Sequence, residues 1–74
     1  MIYELQRVEG DHEGILGWYP SEFEAERIAE QDAESELAWS RQLFRNEIIA
    51  DARLAPNVDY PNGVDYWIYE RQQR

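Results

Sequence analysis

Seventy-four residues with no cysteine carry sixteen acids against seven arginines and no lysine, a formal net charge of −9. A chain this short reads as one domain with a thin core, burying only about 60% of its unfolded surface. Disulfide staples and thiolate metal sites are excluded, no apolar run approaches the roughly 20 residues of a membrane span, and the charge repels nucleic acid and anionic lipid.

The first element in the chain is a strand. From Ile2 to Val8 the residues alternate, with Ile2, Glu4, Gln6 and Val8 on one face and Tyr3, Leu5 and Arg7 on the other. This start lacks the basic and then apolar blocks of a signal peptide, and with the missing cysteines it points to a cytoplasmic protein. Gly10 to Gly14 has turn chemistry, and Ile15 to Tyr19 is a second strand, so a hairpin opens the fold.

Pro20-Ser21 then starts a helix. Ser21 and Glu24 have capping-box spacing, and Glu22, Glu24 and Glu26 fall where the macrodipole favours negative charge. Arg41 and Arg45 are expected near the far end, where it favours positive charge. The inner stripe is Ala25, Ile28, Ala29 and Ala33, continuing to Leu37, Leu43 and Phe44. At about 100° per residue, Asp32 and Glu36 land in the middle of that apolar arc. Either the helix breaks near Asp32–Glu36 and restarts, with Ser35 able to cap the second piece, or two carboxylates point at the core edge.

Ile48 to Leu54 alternates again, with Ile48, Ala50, Ala52 and Leu54 on one face and Asp51 and Arg53 on the other. Ala55 to Gly63, with two prolines and Asn62-Gly63, is a loop, and Val64 to Arg71 is the last strand. The predicted fold is a small two-layer α+β domain in ββα(α)ββ order. Its antiparallel sheet carries the helix on one face and leaves the other open.

Two surfaces stand out. Between Glu22 and Glu36 lie seven carboxylates and one arginine, Arg27. Glu22, Glu26, Glu30 and Glu34 recur every four residues, about 6 Å apart along a helix. Seven charges over such a helix is about one per 3 Å of axis, close to the one per about 3.4 Å of a DNA strand. The bland reading is an ordinary solvated helix face. The second surface is aromatic. Tyr60, Tyr66, Trp67 and Tyr69 crowd the last strand, and Tyr3, Trp18 and Tyr19 lie on the first hairpin. Only one sheet face lies under a helix, so Trp67 and Tyr69 are expected to be partly exposed, where aromatic side chains anchor interfaces.

No catalytic, cofactor or metal site is expected. His12 is the only histidine and has no convergent ligands. Helical spacing spreads the carboxylates along a stripe and does not gather them around one cation. There is no cysteine, and no serine has a histidine near it in sequence.

Small size, heavy acidity and the run Glu22, Glu24, Glu26, Glu30, Asp32, Glu34 and Glu36 together resemble the nucleic-acid-mimic inhibitors of mobile elements, the anti-CRISPR and anti-restriction type. The resemblance is to a class without a shared motif. It implies a stoichiometric inhibitor that occupies a basic site on a host nuclease or CRISPR or restriction complex. The candidate partner-binding residues in this chain are Glu22, Glu26, Glu30, Asp32, Glu34 and Glu36 on the acidic stripe, and Tyr66, Trp67 and Tyr69 on the aromatic strand. The partner is expected to be a basic nucleic-acid-binding protein, without direct contact to nucleic acid or membrane. The alternative is an adaptor or regulatory domain that uses the aromatic sheet face, with a homodimer open as a possibility. A third reading is acidity as an answer to high salt.

Overall fold

The computed structural model describes residues 1–41 and 48–72. Within them the order is β1 (Ile2–Glu9), β2 (His12–Tyr19), α1 (Glu22–Ala33), β3 (Ile48–Leu54) and β4 (Val64–Arg71). All strand pairs are antiparallel, in the sheet order β2-β1-β4-β3, and α1 packs on one face. This is the two-layer α+β arrangement that the alternation predicts.

The hairpin is tighter than the sequence indicates. Glu9 pairs with His12, which leaves Gly10-Asp11 as the turn, with Gly10 at a left-handed φ of 58°. Residues 12–14, expected in the turn, belong to β2. In the long loop before β4, Gly63 sits at φ 73° and donates its N–H to the Tyr60 carbonyl. A Cβ at Gly63 would stand 2.7 Å from the Leu54 carbonyl oxygen, so only glycine fits there.

Ser21 caps α1 from an extended backbone, its hydroxyl accepting the Glu24 N–H at 3.1 Å. The helix buries Ala25, Ala29 and Ala33, whose small side chains let it lie close to the sheet. The bulk of the core comes from strands: Leu5, Val64, Tyr66 and Ile68 are all fully buried. The helix stops at Glu34, a left-handed residue whose N–H bonds back to the Gln31 and Glu30 carbonyls. A left-handed residue cannot continue a helix, and the break falls where Asp32 and Glu36 interrupt the stripe.

No second helical piece follows among the described residues before β3. Residues 36–41 contain no helix, and Ser35 caps nothing; its hydroxyl donates to the Glu36 carbonyl. Leu37 and Trp39 pack against the core while Glu36, Ala38 and Ser40 stay exposed. That period of two was legible in the sequence. Ser40 exchanges two backbone hydrogen bonds with Asp51 of β3, at 2.8 and 3.0 Å, so the segment returns along the outer edge of β3. Leu43, Phe44 and Arg45, assigned above to the helix, lie outside the described residues.

One register differs from the expected alternation. The β3–β4 pairing slips between Ile48 and Ala50, so Ile48 opposes Tyr69 while Ala50 opposes Ile68. Directly opposed residues share a face. Ile48 therefore lies on the far face from Ala50, and Ile49 takes its place against the core.

Candidate functional site: acidic surface and open sheet face

The helical carboxylates expected to form a free charged row are largely engaged within the chain. Glu30 accepts the backbone N–H of Leu37 at 3.1 Å and the indole N–H of Trp39 at 3.3 Å, through one oxygen. Arg41 reaches the N-terminal end of α1, where it pairs with Glu22 at 2.8 Å and with the buried Glu26. It was expected at the other end of the helix. Asp32 points at the core edge, where one of its oxygens takes Arg7 Nε at 2.8 Å and Tyr66 Oη at 2.7 Å. The apolar arc tolerates this carboxylate because two donors satisfy it.

Tyr66 is a correction to the aromatic set. It is fully buried on the helix side and presents nothing to a partner. Burial first, and then the bond to Asp32, push its hydroxyl pKa upward, so it remains a donor. Glu34 and Glu36 are exposed as expected, but beyond the helix and not on its stripe.

Acids without an arginine collect elsewhere. Asp11, Glu13, Glu34, Glu36 and Asp59 are exposed and make no ion pair among the described residues. The strand registers and loops bring them to one pole. The β1–β2 turn touches the β3–β4 loop where Gly10 meets Asn62. The same loop faces the end of α1 across a cleft of about 700 Å³ between Glu34, Ser35, Leu54, Asp59 and Tyr60. The last turn of α1 carries no basic residue, so the negative end of the helix dipole adds to these charges. No sequence periodicity marks this pole, because its members come from three separate stretches of the chain.

The open sheet face is aromatic and carries two arginine–carboxylate pairs, Arg71–Glu4 and Arg53–Asp65. Reading across the registers, Trp18, Glu4, Tyr69 and Ile48 form one row, and Ile15, Gln6, Trp67 and Asp51 the next. Trp67 and Tyr69 are half-buried and tilt against each other at 6.5 Å, and Arg71 lies 4.5 Å over Tyr69. Trp18 and Ile15 are 55% and 50% exposed. Glu4 is buried in the middle of this face and accepts hydrogen bonds from Trp18, Gln6 and Arg71. Beside Trp67, one oxygen of Asp51 is buried without a hydrogen-bond partner among the described residues.

Among the described residues, no group of three or more histidine and carboxylate side chains is placed to hold a metal ion. None of their helices is long and apolar enough to cross a membrane. The chain matches no protein-family model, no curated protein and no solved structure.

Proposed function

We propose that this chain is a non-catalytic binding protein whose acidic surface occupies the basic site of a nucleic-acid-binding protein, as a stoichiometric inhibitor that imitates nucleic acid. The observation that carries this reading is the pole formed by Asp11, Glu13, Glu34, Glu36 and Asp59 at the end of α1. Like charges held together at the negative end of a helix dipole oppose folding. The last helical turn has no basic residue of its own, and the Arg7 guanidinium that reaches it is taken by Asp32 and Glu9. A groove lined with arginine and lysine gains from such carboxylates the neutralisation it gains from phosphates. The row Glu22, Glu26 and Glu30 contributes field but little contact, since its members hold Arg41 and the Leu37–Trp39 segment.

The test is a titration against the partner recovered by affinity capture, at low and high salt, with duplex DNA as competitor. Replacing Glu34 and Glu36 with glutamine and Asp59 with asparagine leaves every hydrogen bond described above in place. Parent binding should weaken steeply with salt and yield to DNA. The triple variant should associate more slowly and show a flatter salt dependence. Unchanged binding by the triple variant, with loss on replacing Trp18 and Trp67, would show that the aromatic face is the working surface.

A further inference from the structure

We infer that the open sheet face is a self-association surface, on which a second copy of this chain packs face to face across a two-fold axis. A protomer at −9 repels its own copy wherever the surface is acidic. The open face is where that repulsion is least. Arg71 sits against Glu4 at 3.4 Å and Arg53 against Asp65 at 2.9 Å. Ile15, Trp18, Gln6, Trp67, Tyr69 and Ile48 fill the rows between, with Asp51 the one charged residue among them. Among the described residues Glu4 and Asp65 are matched by arginine while Asp51 and, at the rim, Glu13 are not, so a copy meets less unmatched charge here than at the acidic pole.

Desolvation points the same way. The carboxylate of Glu4 is already taken out of water and accepts from Trp18, Gln6 and Arg71 within its own protomer. Covering it leaves no bare oxygen, which removes the usual cost of burying an acid. Trp18 and Ile15, each half exposed, supply apolar surface that water now covers.

The area is sufficient for a weak dimer. Four strands at about 4.8 Å spacing and some seven residues at about 3.4 Å give a patch of roughly 450 Å² per copy in projection. Two copies bury about 900 Å² by that measure, just under the roughly 1,000 Å² of specific interfaces, which places this association in the weak class. Sheets so packed stand about 10 Å apart, which leaves both helices facing outward.

Sedimentation equilibrium of the full chain tests this across micromolar to millimolar concentration, in about 0.01 M and about 1 M salt. The average mass should climb from 8.8 kDa towards twice that value. It should climb at lower concentration in high salt, because screening removes the overall repulsion while the apolar contact persists. The variant Ile15→Glu/Trp18→Glu should stay at 8.8 kDa with the parent's far-ultraviolet circular dichroism. If the double change alters that spectrum, Ile15→Glu alone carries the same reading, its side chain making no described hydrogen bond. Glu34→Gln/Glu36→Gln should dimerise as the parent does. A parent that remains monomeric in high salt overturns the inference. So does a folded face variant that still dimerises, or a dimer that disappears with the acidic-pole change.

Discussion

Tyr66 Oη donates to Asp32 Oδ2 at 2.7 Å across the layer between β4 and α1, and the same oxygen takes Arg7 Nε from β1 at 2.8 Å. Three elements thus meet at one carboxylate oxygen. Tyr66→Phe removes one donor and leaves the ring in place, so it should cost about 1–2 kcal/mol. In a domain of this size that lowers the melting temperature by roughly 4–8 °C per kcal/mol. Asp32→Ala should cost more, because it strands both Arg7 and Tyr66. Thermal unfolding followed by circular dichroism checks both, and equal effects would mean that the Arg7 contact contributes nothing.

The Ser21 cap gives a second prediction. Ser21→Ala leaves the Glu24 N–H without its side-chain acceptor and should destabilise by about 1 kcal/mol, while Ser21→Asp should hold or improve stability. Denaturant midpoints of the two variants decide it. Loss with aspartate as well as alanine would count against capping.

Glu30 is expected to act as a clasp. Its carboxylate holds the Leu37 N–H and the Trp39 indole against α1. Glu30→Ala should destabilise by about 1–3 kcal/mol, the range for stranding partly buried donors. It should also shift Trp39 emission to the red as that indole meets water. Measuring the shift in a Trp18→Phe/Trp67→Phe background isolates Trp39, and no shift would mean that the segment is held by packing alone.

Glu4 and Glu26 pull the acid limb of stability in opposite directions. Burial raises Glu4, but hydrogen bonds from Gln6, Arg71 and Trp18 outweigh it and hold the carboxyl below its ordinary 4.5. Its stabilisation is therefore whole above pH 4.5 and lost as pH falls through the lowered folded value. For Glu26, burial outweighs Arg41 and holds it above 4.5. Its charge opposes folding at neutral pH, and acid relieves that before Glu4 titrates. Urea unfolding at about pH 7, 5 and 3 should show Glu4→Gln less stable than the parent at pH 7 and less sensitive to acid below pH 5. Glu26→Gln should show no loss at pH 7, and a loss beyond about 0.5 kcal/mol would contradict the assignment.

Much of the fold was legible because its signals are local. The alternation in Ile2–Val8 and Val64–Arg71, the Ser21–Glu24 spacing and the misfit of Asp32 in the apolar arc each depend on a few neighbours. What misled was partnership at a distance. Glu22, Glu26 and Glu30 look like a solvated row until Arg41 and Trp39 fold back on them, across fifteen residues in the case of Arg41 and Glu26. Extending the apolar stripe to Leu37 hid the period of two in Leu37 and Trp39. Tyr66 was placed correctly with Ile68, yet the pattern alone did not say which face α1 covers. The slip at Ile48 left no local mark, since Ile48 and Ile49 are the same residue type and either can face the core.

The Ser40–Asp51 bridge also bears on what the folded chain does when crowded. A sheet lengthens into a filament only if each new copy offers a free edge on both sides. Here the outer rim of β3 is stitched at its middle by the chain's own backbone, while β2 ends the sheet on the other side. Among the described residues β2 is therefore the one long edge left free, and strand-to-strand recruitment through it would halt at a pair. Ser40→Pro, which deletes one of the two stitches, should convert that dead end into slow fibril formation at high concentration, visible as thioflavin fluorescence that the parent chain never develops.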